Sequence, residues 1–162
     1  MKAKLYDLMN WAEIEGIVYS EEDKPGTILG NRTVGGSTLF QAFFPEAQKV
    51  TLVLEDKKKK VDMEVADEEG FFAITVAGKK PGAYSYEVVT KEGNTVVRKD
   101  PYAYEVNVKQ EELDNFDAGI NYEVYKILGS HKVVIDKTEG VQFTVWVPGA
   151  VRVSVVGAFN DW

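Results

Sequence analysis

The fold of this chain is decided by residues 140–162, which read GVQFTVWVPGAVRVSVVGAFNDW. Aromatic and β-branched side chains crowd residues 142–147, a Pro-Gly pair at 148–149 interrupts them, and valines alternate with polar residues over 151–155. Aromatic and β-branched residues favour strands, whereas Pro and Gly favour turns. We therefore predict two β-strands, 142–147 and 151–155, paired as a hairpin, with Trp146 facing the core.

The same signature occurs a second time, earlier in the chain. Shifting residues 140–162 back by 103 positions places five residues on identical ones: Phe143 on Phe40, Pro148 on Pro45, Ala150 on Ala47, Val153 on Val50 and Val156 on Val53. The tripeptide Ile-Leu-Gly precedes both copies, at 28–30 and at 127–129. A period of this length is too long for a solenoid and predicts two small domains in tandem.

Composition argues against several classes of partner and site. The 162 residues carry a formal charge of -7, which argues against a nucleic-acid partner because phosphates require clustered Lys and Arg. No apolar run is long enough to span a membrane, and the N-terminus lacks the apolar core of a signal peptide. We therefore expect a cytoplasmic protein with no membrane partner. The chain has no cysteine and a single histidine, His131, so we expect no metal site and no cofactor.

The chain before residue 108 predicts a helix followed by a β-sandwich. Apolar residues at near-helical spacing over 2–15 indicate a short amphipathic helix ended by Gly16, and 20–36 is a connector that contains Gly and Pro. Turn residues separate six candidate strands: 38–44, 49–55, 60–65, 71–76, 83–90 and 95–98. This spacing predicts an all-β fold, an antiparallel sandwich of immunoglobulin-like size. The expected core residues are Phe40, Val50, Leu52, Val61, Ile74 and Val88.

We expect four regions along the chain. They are an N-terminal helix and connector at 1–36, a first β-sandwich at 37–108, a linker at 109–121 with a helical turn at 110–113, and a second module at 122–162. The second copy reaches Trp162 after only its first strands. We therefore expect an incomplete second sandwich with an unpaired sheet edge.

The pattern F-x-V-W-x-P-x-A-x-x-V-S-V-V-G-x-F-N-x-W at 143–162 resembles the opening of the family 48 carbohydrate-binding modules of 1,4-α-glucan (glycogen) branching enzymes. Residues 128–131 match the L-G-x-H that introduces this module there, which implies a structural role for His131. Residues 100–103 match the D-P-Y-A that closes modules of this superfamily. The resemblance implies a non-catalytic N-terminal segment that binds or positions glucan in glycogen biosynthesis.

The same resemblance implies an enzyme as the parent, but no catalytic residue in this chain. Retaining glycoside chemistry needs two carboxyl groups about 5 Å apart on a rigid scaffold, and in this family they lie in a barrel that follows the modules. The implied partners are α-glucan, bound weakly, and the catalytic domain of the same chain. Two alternatives remain: the leading modules of a pullulanase or isoamylase type debranching enzyme, and an immunoglobulin-like interaction module with no glucan ligand.

Glucan binding needs exposed aromatic rings that stack on sugar faces, with amide or ammonium donors for the hydroxyls. The F-N-x-W of the family supplies such groups, and here they are Trp162 and Asn160. The first copy has Glu-Asp-Lys-Lys at 55–58 instead, and Glu87 and Val97 stand where glycan-binding members carry Lys and Trp. We therefore expect the first copy to be structural. Tyr84, Tyr86, Tyr102 and Tyr104 offer another platform, but tyrosines on strands are more often half-buried cross-strand partners.

Overall fold

The structure is a computed structural model that describes residues 3–79, 82–104, 107–135, 137–151 and 153–158. The chain forms two compact units, Met1–Ala103 and Tyr104–Trp162. All strand pairs in both units are antiparallel among these residues.

The described part of unit Met1–Ala103 contains two short helices and eight strands. They are α1 (Ala3–Tyr6), α2 (Trp11–Val18), β1 (Gly30–Val34), β2 (Ser37–Phe43), β3 (Ala47–Leu54), β4 (Lys59–Asp62), β5 (Glu64–Asp67), β6 (Phe71–Ala77), β7 (Tyr84–Thr90) and β8 (Thr95–Arg98). The strands form two four-stranded sheets, β1-β2-β6-β5 and β4-β3-β7-β8. The predicted all-β antiparallel sandwich is confirmed.

The first hydrophobic core fills the space between the two sheets. Phe40 of β2, Leu52 of β3 and Tyr86 of β7 all lie in it and are buried. Of the six predicted core residues, Phe40, Val50, Leu52, Ile74 and Val88 are buried here, and Val61 packs against the core while remaining partly exposed. Removal of this apolar surface from water is the main force that holds the sheets together.

A second core lies on the opposite face of sheet β1-β2-β6-β5. Leu39 of β2 and Phe71 of β6 cluster there with Leu5 of α1 and with Ile14 and Ile17 of α2. Strand β2 is therefore buried on both faces, which explains why its apolar run does not alternate with polar residues. The two helices form a third layer on the sandwich.

The N-terminal segment differs from the single helix predicted over 2–15. Asn10 has an extended backbone, and its side-chain oxygen accepts a hydrogen bond from the N–H of Ala12 at 3.2 Å, so it begins a new helix, α2. The prediction that Gly16 ends the helix is wrong. Helix α2 continues past this glycine because Ile17 is buried in the second core.

Two strand predictions also change in unit Met1–Ala103. The segment 60–65 is not one strand, because the chain leaves β4 at the buried Met63 and enters β5 in the other sheet. The predicted connector at 20–36 contains strand β1, which pairs with β2. Its sequence, GNRTV, carries one large apolar side chain and so gives little strand signal.

The described part of unit Tyr104–Trp162 contains one helix, one 3₁₀ turn and one hairpin. These are α3 (Gln110–Asp117), the turn Val124–Lys126, β9 (Gly129–Ile135) and β10 (Thr138–Thr144). The helical turn predicted at 110–113 is the start of the longer helix α3. Strands β9 and β10 pair along their whole length.

The hairpin predicted from 142–147 and 151–155 is wrong. Residues 142–144 pair upstream with β9, and the described residues of 151–155 form no strand. The connection from β9 to β10 is two residues long, so its closure costs little chain entropy. Trp146 is not in a core either: it is 61% exposed, and its ring lies edge-on to Phe116 at 5.7 Å between centroids.

The two units share one stretch of backbone, 99 residues apart. Helices α2 and α3 both span eight residues and start at Trp11 and Gln110. Four successive N–H groups after each helix bond back in one pattern: Tyr19 to Glu15, Ser20 to Ile17, Glu21 to Gly16 and Glu22 to Gly16, then Ala118 to Asp114, Gly119 to Phe116, Ile120 to Asn115 and Asn121 to Asn115. A 3₁₀ turn follows in each copy, Pro25–Thr27 and Val124–Lys126, and Gly30 and Gly129 then begin β1 and β9 at φ of 96° and 102°. The internal repeat therefore extends to the helices and connectors.

The register of the first hairpin is also repeated. Phe40 pairs with Asn31 and Phe143 pairs with Ser130, in each case the residue after the glycine that begins the hairpin. Hairpin β9-β10 is four residues longer than hairpin β1-β2. The outermost pair is Gly129↔Thr144 in the longer hairpin and Gly30↔Gln41 in the shorter one. This insertion changes the offset between the copies from 99 residues at the glycines to 103 at the phenylalanines.

Candidate functional site

The two residues predicted to bind glucan, Trp162 and Asn160, lie outside the residues that the structure describes. The described residues just before them, 153–158, form no strand. The described residues include two other candidate sites from the sequence, which are the tyrosines and the outer face of the first copy. They also form a cleft that the sequence did not indicate.

Two tyrosines of unit Met1–Ala103, Tyr84 and Tyr86, are turned inward, whereas Tyr102 is 39% exposed. Tyr84 and Tyr86 lie on the inner face of β7, with their rings edge-on and 5.8 Å apart between centroids. Both hydroxyls donate to Oδ2 of Asp100, at 2.7 Å and 3.0 Å, and Asn31 donates its amide to the Tyr84 hydroxyl at 3.0 Å. Buried rings cannot stack on a sugar, so this pair is not a glucan platform.

The environment of these tyrosines keeps their hydroxyls protonated. Burial raises the pKa of Tyr84, Tyr86 and Tyr102, and the neighbouring carboxylate of Asp100 raises all three pKa values further. The phenols therefore remain protonated, and those of Tyr84 and Tyr86 act as hydrogen-bond donors to Asp100. They cannot supply a phenolate base near neutral pH.

Asp100 also holds the segment that leaves the sandwich. Its second oxygen, Oδ1, accepts a hydrogen bond from the N–H of Tyr102 at 2.9 Å. Tyr102 lies close against Gly30, where an added Cβ would stand 2.9 Å from the Tyr102 Cβ. The D-P-Y-A sequence thus closes the module by joining β7 and the start of β1 to one buried carboxylate. These hydrogen bonds have a structural role.

The outer face of sheet β4-β3-β7-β8 carries paired charges. The ammonium of Lys49 contacts Asp62 at 2.7 Å, and that of Lys60 contacts Glu87 at 2.5 Å. Hydrogen bonding to Lys49 lowers the pKa of Asp62. Glu87 faces Val97 across β7 and β8. The described strand residues on this face include no aromatic ring, so the face offers no group that could stack on glucan.

Unit Tyr104–Trp162 contains an open cleft of about 330 Å³ beside α3. It is lined by Glu112, Asn115, Ile120, Asn121, Tyr122, Glu123, Lys126 and Ile127. The connector that forms it is fixed by its own hydrogen bonds, since Asn121 accepts from the N–H of Glu123 at 3.1 Å. The ring of Tyr122 is 89% exposed. An exposed ring, an amide and an ammonium thus meet in one cleft.

Sequence reasoning missed this cleft because residues 109–121 were interpreted as a linker. A comparison at an offset of 99 residues would have found it. That comparison places Tyr122 opposite Asp23 and Asn115 opposite Gly16. An aromatic ring and an amide thus replace an acid and a glycine at places where the backbone is otherwise repeated.

His131 has a local structural role. Its Nε2 donates to the carbonyl of Leu128 at 3.0 Å, and Gly129 between them has a positive φ. The L-G-x-H sequence is therefore a bend that leads into β9, and its own histidine bonds back across that bend. Among the described ranges, no group of three or more His, Asp or Glu side chains is arranged to hold a metal ion. No helix in that part of the chain has the length and apolar character to cross a membrane.

Comparison with known proteins gives relatives over most of the chain. The 1,4-alpha-glucan branching enzyme GlgB of Synechocystis sp. PCC 6803 is 29% identical over 95% of this chain and 21% of its own length. The GlgB of Rubrobacter xylanophilus is 32% identical over 92% of this chain and 20% of its own length. The chain thus spans about a fifth of the length of these curated relatives. A solved pullulanase from Bacillus acidopullulyticus, 29% identical over 49% of this chain and 10% of its own, has a TM-score of 0.39, too low to support an argument.

A protein family described as the N-terminal domain of the alpha-1,4-glucan branching enzyme GlgB matches residues 10–102. These limits agree with the structure, because Asn10 caps α2 and Tyr102 lies in the closing D-P-Y-A sequence. The match includes β1 and most of the second core, the parts of the fold that the sequence did not reveal, whereas Leu5 of α1 lies before it. The chain belongs to the GlgB branching-enzyme family, and its residues 10–102 are the N-terminal domain of that family.

Proposed function

We propose that this chain is the leading, non-catalytic segment of a longer 1,4-α-glucan branching enzyme and that it positions α-glucan for a catalytic domain of the same chain. The observation that carries the proposal is the family match over residues 10–102. Similarity to two bacterial enzymes of that name over more than nine-tenths of the chain supports it. A cytoplasmic location belongs to the same proposal, since a chain without cysteine suits a reducing compartment.

The first copy acts as a structural spacer in this proposal. Its outer face carries the ion pairs Lys49–Asp62 and Lys60–Glu87, which occupy ammonium groups that a sugar hydroxyl would otherwise contact. Its tyrosines Tyr84 and Tyr86 are buried against Asp100. A face without an exposed ring gives little affinity for glucan, because sugar recognition depends on stacking.

The second copy makes the glucan contacts in this proposal, through Trp162 and Asn160. We assign residues 109–121 to this copy rather than to a separate linker, since α3 repeats α2 of the first copy. Affinity should be weak, because a site with few rigid contacts must also offset the ordering of its side chains, roughly 0.5–1.5 kcal/mol for each one.

The purified chain can be tested in two assays. Incubation with amylose should give no α-1,6 branches, measured by chain-length analysis after debranching. Titration with maltoheptaose, followed by backbone amide shifts, should give weak binding confined to 104–162 and reduced by Trp162→Ala. Tight binding with shifts centred on Tyr84 and Tyr86 would contradict the assignment of the first copy as a spacer.

A second candidate function is an interaction module with no glucan ligand. The observation that favours it is the exposure of large apolar side chains on residues 145–156, such as Val145, Trp146 and Val151. Contiguous exposed apolar surface commonly marks a protein contact. Concentration-dependent association in sedimentation equilibrium, together with no amide shifts on adding maltoheptaose, would favour this function over the first.

A further inference from the structure

The internal repeat provides a comparison within one chain for the cleft of unit Tyr104–Trp162. The backbone hydrogen bonds around it match those of the first copy. The backbone carbonyl of Asn115 accepts from the N–H groups five and six residues later, as the carbonyl of Gly16 does. The side-chain cap is repeated as well, because Glu22 accepts from the N–H of Lys24 and Asn121 accepts from that of Glu123. Differences between the two connectors therefore lie in their side chains.

Those differences change an acidic connector into one suited to a neutral polar ligand. The acids Glu21, Glu22 and Asp23 of the first copy are replaced by Ile120, Asn121 and Tyr122 in the second. Three carboxylates are lost at matched positions, and an amide and a phenol appear. The backbone is the same with both sets, and Glu22 and Asn121 provide the same cap, so the turn itself does not require the Ile120 and Tyr122 side chains.

Three groups in the cleft are available to a ligand. The Tyr122 ring is almost fully exposed. Asn115 is half-buried, and its side-chain amide makes no hydrogen bond to another described residue. Lys126 donates one N–H to Glu123 at 2.6 Å, and two of its three donors remain. A ring with amide and ammonium donors is the combination that recognises sugar hydroxyls above an apolar sugar face.

Charge in the cleft disfavours other ligand classes. Glu112 and Glu123 line it with Lys126 as the single cation, so an anionic ligand such as a phosphate would meet net negative charge. No metal-holding group of acids occurs among the described residues, which argues against a divalent cation. A volume of about 330 Å³ lies at the lower end of the range of ligand sites and would hold a short stretch of a polymer.

We propose that the cleft between α3 and the turn Val124–Lys126 is a subsite for an α-linked glucose oligomer, with Tyr122 stacking on a sugar ring and Asn115 and Lys126 bonding its hydroxyls. The identity of the ligand rests on the proposed function, whereas the location rests on the cleft. The site is separate from Trp162 and Asn160 in sequence. It gives the second copy a contact that the first copy lacks.

The test uses the whole 162-residue chain labelled with ¹⁵N and titrated with maltoheptaose. Amide shifts should cluster on residues 112–127. Tyr122→Asp and Asn115→Gly restore the residues of the first copy, which this backbone accommodates there, so folding should be retained. Tyr122→Asp should weaken binding about tenfold, as truncation of a central aromatic contact does. Tyr19→Ala, which removes an exposed tyrosine of the first copy, is the matched control and should leave affinity unchanged.

The outcomes separate this inference from the proposed function. Binding of maltoheptaose that is unaffected by both Tyr122→Asp and Asn115→Gly would overturn the subsite and leave glucan binding elsewhere intact. No shift with maltoheptaose anywhere in the chain would overturn glucan binding by this segment altogether. Equal binding of cellohexaose would contradict the α-linked specificity, because β-linked chains are extended where α-1,4 chains curve.

Discussion

The carboxylate of Asp100 accepts a 2.7 Å hydrogen bond from the hydroxyl of Tyr84, and both residues are buried. Asp100→Ala would remove the acceptor of that hydroxyl and of the Tyr86 hydroxyl, so both buried donors would lose their hydrogen bonds, although Asn31 would still donate to Tyr84. Unsatisfied buried groups of this kind cost roughly 1–3 kcal/mol each, so we expect a loss of about 2–5 kcal/mol in the free energy of unfolding. Urea denaturation measures it, with the exposed neighbour Lys99→Ala as control. Equal, small effects at both positions would show that the cluster does not stabilise the module.

A pH prediction follows from the same cluster. Folding raises the pKa of Tyr84 and Tyr86 above the unfolded value. Their contribution to the free energy of unfolding is therefore complete below about pH 10 and is lost as the pH rises further. The unfolded chain then releases protons that the folded chain keeps, and the free energy of unfolding falls by roughly 1.4 kcal/mol per pH unit for each phenol. Urea titrations above pH 10 measure this slope, which Tyr84→Phe should reduce. A slope that is the same in the variant would contradict the assignment.

Core truncation should distinguish the two faces of β3. Leu52 is fully buried between the sheets, and Leu52→Ala should cost roughly 2–4 kcal/mol through lost burial and the cavity that remains. Val53, the next residue, faces outward and is partly exposed, so Val53→Ala should cost less than about 1 kcal/mol. Chemical denaturation of both variants gives the comparison. Values below about 0.5 kcal/mol at Leu52 and at the equally buried Val50 would refute this core.

Hydrogen exchange should separate the hairpin β9-β10 from the sandwich. Strands β2 and β6 pair in a four-stranded sheet that is buried on both faces. Within the described ranges, β9 and β10 pair only with each other and expose many of their side chains. An isolated two-stranded hairpin is only marginally stable in water, so its amide hydrogens should exchange much faster than those of β2. Exchange followed by NMR at two protein concentrations provides the measurement. Slow exchange of β10 only at the higher concentration would indicate strand pairing between chains instead, and slow exchange at both would contradict the prediction.

Much of the first sandwich could be predicted from the sequence. Strands β3 and β7 alternate apolar and polar residues, and Gly or Pro marks several of the turns, so the side-chain phase of both strands follows from the pattern alone. Strand β1 could not be predicted, because it carries one large apolar side chain and is held by backbone pairing to β2. The third layer was missed for a related reason. An apolar run such as that of β2 does not reveal what covers its second face.

For the candidate sites as well, the sequence located some features, and the tertiary structure showed what they do. The D-P-Y-A and L-G-x-H sequences could be located by pattern, but their structural roles depend on hydrogen bonds from Tyr84 and Tyr86 to Asp100 and from His131 to Leu128. The cleft at Tyr122 was missed, since one tyrosine in an acidic segment resembles any surface residue until the segment is compared with the first copy at an offset of 99 residues. Its significance comes from the repeated backbone around it.

The sequence by itself determined the strand propensities, the turns and the existence of two related copies, because these depend on local side-chain preference and on identity between segments. Tertiary structure decided which segments pair and which faces are covered. The valines of 151–155 have the pattern of a strand, yet β10 pairs with β9, because the partner of a strand depends on loop closure and on competing neighbours. Trp146 has the character of a core residue and is exposed, because burial depends on what packs against a side chain as well as on its own hydrophobicity.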